Sequence, residues 1–336
     1  MDDRINYRAP LKSPLTVSLW ITESCNLSCK YCYADATRNF WMESDRLYRL
    51  IEELKELEVF DITIAGGEPF LHPNVFDVIE RILNSRMQLG VLTNGVLLDK
   101  KKAERLASIA EGKKMILQIS LDSPDPVIND QTRSKGALVL QNLRNLAKHD
   151  LQLQISCVLS SVNVETAHLL IDELYPEVKR FHFLNIQRTE RSLRYPGLLI
   201  NDSQAHEFWM RLKKHSGKFP PDLFLPSLRI MLRSYGEEDS AESSEFHRRA
   251  TFTCRSCSVG LTKIEIGANF DVLGCDIAKD FSIMGNIAER SFIDVWNSEQ
   301  AFRVRNSPFP PCYRIRSEEG VALEDRLKSE FKCVQP

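Results

Sequence analysis

Short apolar runs alternate with longer amphipathic stretches over residues 16–216, and this alternation constrains the fold more than any other feature of the chain. Runs rich in β-branched and aromatic residues predict six strands, at residues 17–22, 61–65, 89–93, 115–121, 153–160 and 181–187. Apolar residues at three- and four-residue steps predict a helix after each strand, at residues 45–58, 75–83, 100–109, 137–148, 164–174 and 203–215. Strands and helices in this order form parallel βαβ units with right-handed crossovers. Because six units cannot close an eight-stranded barrel, we predict an α/β fold, an open partial (βα)6 TIM-like barrel.

The composition of the chain changes after residue 216. Residues 217–226 contain three prolines, and residues 234–245 are polar, acidic and serine-rich, which is typical of an exposed loop or linker. Cysteines return after residue 252, and two apolar runs around Gly267-Ala268-Asn269 predict a β-hairpin. We therefore divide the chain into a partial barrel at 1–216, a linker or loop at 217–251, and a small α+β domain at 252–336.

Charge and composition exclude several classes of protein. The formal net charge of −2 and the lack of a basic block argue against a nucleic-acid partner. The start of the chain lacks an apolar signal core, and no apolar run approaches the ~18 residues that span a bilayer. Nine cysteines, clustered towards both ends, favour metal or redox use in a reducing compartment over a disulfide scaffold. We expect a cytoplasmic protein that binds neither nucleic acid nor membrane.

Three closely spaced cysteines, Cys25, Cys29 and Cys32, follow the first predicted strand. Three thiolates from one loop suit a four-iron cubane cluster and leave its fourth iron without a protein ligand. The alternatives are a partial zinc site, although zinc prefers CxxC pairs with a matching second pair, and a set of buried free cysteines. Because α/β folds place their chemistry at the carboxyl ends of strands, we predict a metal site in this loop.

The spacing CxxxCxxC, with Tyr31 as the aromatic residue before the last cysteine, resembles the signature of the radical S-adenosylmethionine (radical SAM) enzymes. The resemblance implies that Cys25, Cys29 and Cys32 hold a [4Fe-4S] cluster whose open iron is chelated by the methionine part of SAM. One electron splits the sulfonium, and the resulting 5′-deoxyadenosyl radical removes a hydrogen atom from the substrate. The family resemblance also implies the partial-barrel fold and a one-electron reductant such as flavodoxin or ferredoxin, while the protein supplies position and shielding.

The segment Gly66-Gly67-Glu68-Pro69 follows the second predicted strand. Paired glycines let the backbone adopt positive φ and approach a ligand closely. On its own, such a segment is most often a simple turn. Its place one βα unit after the cysteine loop makes it similar to the GGE motif of the family, which implies that it binds the ammonium group of SAM and that Glu68 orders the site.

Polar residues also end the third and fourth predicted strands. Asn94 precedes Gly95, and its local sequence favours a turn residue, while its position makes it a pocket candidate. Ser120, Asp122 and the later Arg133 are similar to the family's Ser-x-Asp and arginine, which implies that Ser120 contacts the ribose and Arg133 the carboxylate of SAM. Taken without the resemblance, a helix N-cap at Asp122 and a solvated Arg133 are an equal alternative.

A second group of cysteines lies in the last third of the chain. Cys254 and Cys257 precede the predicted hairpin and Cys275 follows it, so the hairpin would bring Cys257 and Cys275 together. In isolation this pattern favours a zinc ribbon. Asn286-Ile287 and the short helix predicted up to Trp296 resemble the family's auxiliary domain of the SPASM or twitch type, which favours an auxiliary [4Fe-4S] cluster.

A full SPASM domain carries further CxxC and CxxxC groups after the hairpin, and no cysteine follows Cys312 closely. We therefore predict one auxiliary cluster, with the ligands Cys254, Cys257, Cys275 and Cys312. Cys333 is an alternative to Cys312 or to Cys254, and a three-cysteine site with an open iron is a further one. Cys157 is predicted to be a buried structural residue, with a role as a hydrogen-atom donor inside the barrel as the minor alternative.

The predicted function is radical chemistry on a ribosomal peptide or protein, by oxidation, cross-linking or epimerisation. The few residues ahead of the first strand keep a small carbohydrate, aminocyclitol or nucleotide as the alternative substrate. The loop at 188–197 is expected to line the open mouth of the barrel. A non-catalytic zinc-binding module is a second alternative, but it does not account for CxxxCxxC at a strand end or for the Gly-Gly-Glu-Pro segment.

Overall fold

The computed structural model describes residues 11–34, 39–187, 189–216, 260–275 and 282–305. The strands of these residues are β1 (Thr16–Thr22), β2 (Asp61–Gly66), β3 (Gln88–Thr93), β4 (Met115–Ser120), β5 (Gln152–Leu159), β6 (Arg180–Asn185), β7 (Lys263–Ile266), β8 (Asp271–Leu273) and β9 (Ile283–Asn286). The helices are α1 (Ser44–Glu56), α2 (Val75–Asn84), α3 (Lys100–Ala110), α4 (Pro126–Asn129), α5 (Gly136–Leu146), α6 (Leu169–Leu174), α7 (Glu190–Leu193), α8 (Asp202–Ser216), α9 (Phe292–Trp296) and α10 (Glu299–Arg305).

The described strands form one sheet in the order β6-β5-β4-β3-β2-β1-β7-β8-β9. Neighbours from β1 to β6 pair in parallel, each after a crossover that carries at least one helix. Since β6 and β9 are the two edges, the sheet does not close on itself. The predicted α/β fold with an open partial barrel is therefore confirmed.

The predicted hairpin is present as β7 and β8, and it continues the sheet of the barrel. β7 pairs in parallel with β1, with Thr16 opposite Lys263 and Leu19 opposite Ile266. β8 and β9 then follow as antiparallel neighbours. An unpaired edge at β1 would expose a row of backbone donors and acceptors, and β7 covers that edge.

Helices pack against the sheet and enclose the main core with it, as α1 illustrates. Leu47, Leu50, Ile51 and Leu54 recur at helical spacing and are all buried. The helix begins after Glu43, whose carboxylate accepts hydrogen bonds from the backbone N–H groups of Asp45 and Arg46, both at 3.0 Å. The same helix holds the C-terminal region, because the backbone N–H of Phe292 donates to Glu53 Oε1 at 2.8 Å.

Some element boundaries differ from the prediction. The helix predicted at 164–174 begins only at Leu169, because the preceding residues form turns around the buried Asn163. The Asn163 side chain accepts from the backbone N–H of Ser160 at 2.7 Å and donates to the carbonyl of Asp122 at 2.8 Å. The short helices α4 and α7, together with β9 and α10, were not predicted. Among the described residues, no helix is both long and apolar enough to cross a membrane.

Candidate functional site

The cysteine loop leaves the carboxyl end of β1 and is held by backbone contacts on both sides. The carbonyl of Thr22 accepts from the N–H of Gly67, and the carbonyl of Ser24 accepts from the N–H of Glu68, both at 2.8 Å. On the other side, the N–H of Lys30 donates to the carbonyl of Thr132 at 3.0 Å. The loop is therefore bound to the segments that follow β2 and β4, and these are the segments that the sequence singles out.

Cys25, Cys29 and Cys32 lie together in this loop, and all three are partly exposed. Burial raises the pKa of the Cys25 thiol and raises that of Cys29 to about 11, against which Arg133 acts in the opposite direction. For Cys25 and Cys29 the thiol is therefore the stable form without a metal, and a bound metal would favour the thiolate.

The three thiols of this loop form a donor set that suits an iron–sulfur cluster. Within the described residues, no three His, Cys, Asp or Glu side chains converge as ligands of one metal ion. A four-iron cluster does not require such convergence, because each cysteine binds a different iron atom. The donor set of three thiols from one loop thus fits a cubane cluster.

The Gly66-Gly67 turn needs its first glycine for a steric reason. Gly66 has φ +128°, and a Cβ atom at this position would lie 2.2 Å from the carbonyl oxygen of Thr22. Only glycine fits this close approach of β2 to the start of the cysteine loop. Pro69 begins the short 3-10 turn that follows, and it is buried.

Glu68 is fully buried and accepts three hydrogen bonds. Its Oε1 accepts from Phe70 N at 3.1 Å and from Thr93 Oγ1 at 2.8 Å, and its Oε2 accepts from Asn94 N at 2.7 Å. Burial raises the pKa of Glu68 to about 7, and the three hydrogen bonds oppose this rise. Glu68 therefore joins the turn after β2 to the end of β3.

Asn94 acts as a turn residue and also reaches the cysteine loop. Its Oδ1 accepts from Val96 N at 3.0 Å, as a local turn requires. Its Nδ2 donates to Asn26 Oδ1 at 2.7 Å and lies 3.8 Å from Cys25 Sγ. Asn26 and Thr93 also belong to this site. In the sequence, only their positions next to Cys25 and Asn94 could have indicated this.

Asp122 is the centre of a second buried network. Its Oδ1 accepts from Val158 N at 2.9 Å and lies 3.0 Å from Arg133 Nε, and its Oδ2 accepts from Thr132 Oγ1 at 3.0 Å. The hydroxyl of Tyr31 donates to the same Oδ2. Burial raises the pKa of Tyr31 well above its ordinary value, so that the hydroxyl keeps its proton.

The alternative of a capping Asp122 and a solvated Arg133 does not hold. The cap of α4 is Asp125, whose Oδ1 accepts from Val127 N at 2.8 Å. The Arg133 side chain is only 11% exposed, and its Nη1 lies 4.0 Å from Cys29 Sγ. Thr132 contributes to this network, and only its place next to Arg133 could have indicated it.

Ser120 lies on the same face of β4 as Gln118, in register with Ser156 of β5, which in turn pairs with His182 of β6. Its predicted contact with the ribose of SAM stays a prediction. Cys157 is buried in the core, where Sγ donates to the carbonyl of Asp122 at 3.5 Å and accepts from Asn163 Nδ2 at 3.7 Å. This position agrees with a structural role, and the alternative of a hydrogen-atom donor inside the barrel finds no support in it.

Of the second group of cysteines, the structure describes Cys275, which is buried directly after β8. Its carbonyl accepts from Ser282 Oγ at 2.7 Å. The other predicted ligands lie outside the described residues, namely Cys254, Cys257 and Cys312 and the alternative Cys333. The hairpin thus places Cys275 just beyond the end of β8, one of the strands that extend the sheet from β1.

Two family models match the chain. The model described as the radical SAM superfamily matches residues 20–174, and the SPASM model, described as an iron–sulfur cluster-binding domain, matches residues 254–314. The first match covers the cysteine loop, the turn after β2 and the Asp122 network. The second covers the hairpin and four of the five cysteines in the last third of the chain.

Curated relatives match most of the chain at low identity. AlbA of Bacillus subtilis, an antilisterial bacteriocin subtilosin biosynthesis protein, is 24% identical over 88% of this chain and 62% of its own length. The mycofactocin maturase MftC of Mycobacterium tuberculosis is 26% identical over 90% of this chain and 75% of its own length. The chain thus spans less than two thirds of AlbA.

Among solved structures, Streptococcus suis SuiB bound to the precursor peptide SuiA superimposes with a TM-score of 0.71 at 18% identity. The superposition covers 89% of this chain and 68% of SuiB. At this level of identity the likeness concerns the fold.

Proposed function

This chain belongs to the radical SAM superfamily, with a SPASM iron–sulfur domain after its barrel, and we propose that it modifies a ribosomal peptide or protein by radical chemistry. The observation that carries the substrate class is the likeness, over 88% and 90% of the chain, to a bacteriocin biosynthesis protein and to a maturase. The fold is compatible with such a substrate, because SuiB has a similar fold and binds a precursor peptide. Oxidation, cross-linking and epimerisation are the proposed reaction types.

Cys25, Cys29 and Cys32 would hold three irons of a [4Fe-4S] cluster. With SAM bound to its fourth iron, this cluster supplies a 5′-deoxyadenosyl radical that removes a hydrogen atom from the substrate. The chain contributes a loop that backbone hydrogen bonds to Gly67, Glu68 and Thr132 hold against the segments after β2 and β4.

The residues around the loop would orient SAM. The backbone of Gly66-Gly67 is proposed to accept from its ammonium group, and Ser120 to contact its ribose. Glu68 and Pro69 hold that backbone in place, and Asn94 reaches from β3 to Cys25.

Arg133 would bind the carboxylate of SAM. Asp122 fixes the guanidinium through its Nε side, and Tyr31 and Thr132 fix Asp122 in turn. The other N–H groups of Arg133 stay available for a planar carboxylate. If this role is correct, Arg133→Lys should raise the Kd for SAM in equilibrium binding, since lysine keeps the charge but loses the fork. An unchanged Kd would contradict it.

Cys254, Cys257, Cys275 and Cys312 are the proposed ligands of one auxiliary [4Fe-4S] cluster in the domain at 252–336, joined to the barrel at 1–216 by the segment at 217–251. This cluster would accept an electron from the substrate or bind the substrate. Cys275→Ala should therefore leave cleavage of SAM intact and suppress product. Full product formation in this variant would reduce the second site to a structural role.

We place the enzyme in the cytoplasm, with flavodoxin or ferredoxin as electron donor, because unpaired cysteines in metal sites require a reducing compartment. The substrate class is tested by co-expressing the chain with short open reading frames from its gene neighbourhood and weighing the peptides by mass spectrometry. A modified peptide that is absent with Cys29→Ala supports the proposal. Turnover of an aminocyclitol, carbohydrate or nucleotide without modification of any peptide would contradict the substrate class.

A further inference from the structure

A cavity of about 400 Å³ opens at the amino ends of β2 to β6, the end of the partial barrel opposite the cysteine loop. Its walls begin at these amino ends and extend along the strands to Gln118 of β4 and Leu92 of β3. We name it the amino-terminal cavity. Its polar walls are formed mainly by Gln88, Lys114, Gln118, Gln152, Gln154 and Arg180. The cysteines, by contrast, follow the carboxyl end of β1, and none of the residues proposed to bind the cluster or SAM lines this cavity.

The interior of the barrel at this end is polar and incompletely filled. Closed barrels of this kind fill their interior with layers of branched apolar side chains. Here Gly90 contributes no side chain to the cavity wall, and the neighbouring inward positions are largely amides. Gln154 Nε2 donates to Gln118 Oε1 and lies 3.2 Å from His182 Nδ1. The side chains of Gln88 and Gln152 make no hydrogen bond within the described residues, so they are free to bind a polar ligand.

The cavity also carries an excess of positive charge. Within the described part of the chain, Lys114 and Arg180 form neither a hydrogen bond nor a salt bridge through their side chains. The one carboxylate in the wall, Asp61, already has partners, because Thr63 donates to it and Lys263 lies close by. The charge of Arg180 acts inside the barrel, since burial and this guanidinium together lower the pKa of His182 to about 4. Lys114 and Arg180 are exposed residues at the cavity, and within the described part of the chain neither has a bonded counter-charge.

We propose that the amino-terminal cavity binds a small organic anion. Its carboxylate or phosphate group would pair with Lys114 and Arg180, and its hydrogen-bonding groups would face Gln88 and Gln152. A volume of about 400 Å³ lies within the range of roughly 300–1,000 Å³ that is usual for small-molecule sites. A charge-assisted bond from a guanidinium to an oxyanion is stronger than one between neutral groups, which favours an anion over a neutral ligand. The inference does not depend on the reaction proposed above.

The test is isothermal titration calorimetry of the full reconstituted chain at constant ionic strength, with succinate and glycerol 3-phosphate as probes. Saturable binding of at least one probe is expected, and the probe that binds more tightly distinguishes a carboxylate ligand from a phosphate ligand. Arg180→Gln should weaken this binding at least about tenfold, as the loss of a charge-assisted bond requires. Lys179→Gln is the matched control, because it removes the same charge one residue away without lining the cavity, and a change below about twofold is expected.

Two further variants keep the test decisive if Arg180→Gln folds poorly. Lys114→Gln should weaken binding in the same way, and Gln152→Leu should weaken it without any change of charge. Cleavage of SAM should continue at the wild-type rate in all of them, since none lies near the cysteine loop. The absence of saturable binding of both probes would overturn the proposal, as would an equal loss of affinity in Lys179→Gln.

Discussion

At the carboxyl end of the sheet, Asp122 and Glu68 are buried and each meets at least three partners, whereas at the amino end Lys114 and Arg180 line an open cavity without a bonded partner in the described chain. Both ends belong to the same strands. The difference shows that protein partners hold the carboxyl groups at the proposed cofactor end, while the amino end leaves its charges to solvent or ligand. Preorganised charges suit a site that must hold a reactive group in one geometry.

The largest expected effect is on the cysteine loop itself. Cys29→Ala should abolish 5′-deoxyadenosine formation, because a cubane with two protein ligands is poorly held. Chromatography of 5′-deoxyadenosine after anaerobic reconstitution measures this. The control is Cys157→Ala, a buried thiol of the core, which should keep both iron and cleavage. Normal cleavage of SAM by Cys29→Ala would contradict the cluster assignment.

The next effect concerns the Asp122 network. Asp122→Ala leaves Arg133 buried without its counter-charge, so the free energy of unfolding should fall by about 3–5 kcal/mol. Asp125→Ala, three residues away, removes only the cap of α4 and should cost about 1 kcal/mol. Urea denaturation measures both. Equal losses of unfolding free energy in the two variants would mean that the Asp122 network stabilises the fold no more than an ordinary helix cap does.

The third prediction concerns Glu68, through which the stability of the carboxyl end is expected to depend on pH. Folding raises the pKa of Glu68 from 4.5 to about 7, so its contribution to stability is complete below pH ~4.5 and is lost as the pH rises through ~7. The free energy of unfolding of the metal-free chain should therefore fall by about 3 kcal/mol over this range, relative to Glu68→Gln. Denaturation of both proteins at several pH values measures the difference. Parallel pH profiles would mean that folding does not raise the pKa of Glu68.

The smallest effect is expected at the amino end. Lys114→Ala should change the free energy of unfolding by less than about 0.5 kcal/mol, because the side chain is exposed and makes no bond within the described residues. Thermal denaturation without added anions measures this. If Lys114→Ala lost nearly as much free energy of unfolding as Asp122→Ala, the charged groups at the two ends would contribute equally to stability. The contrast between the two ends would then be wrong.

The local features of the chain were predictable because their causes are local. Leu47, Leu50 and Leu54 recur at helical spacing, and α1 forms where that spacing runs. Prediction failed where a distant group competes with the local pattern. The helix expected from residue 164 starts later because Asn163 bonds to the backbone of Asp122, a residue 41 positions away. The parallel pairing of β7 with β1 likewise joins residues far apart in sequence, and the periodicity of apolar residues does not predict which strands pair.

The sequence by itself determined the alternation of strands and helices and the three cysteines after β1. It also determined the glycine at position 66, which the close approach of β2 to the cysteine loop requires. These follow from spacing and from backbone sterics within a few residues. Only the tertiary structure decided that Tyr31, Thr132 and Arg133 converge on Asp122, and that unpaired cations face a cavity at the amino end. The physical reason is that burial and charge pairing arise between strands, when the sheet sets which side chains face each other across it.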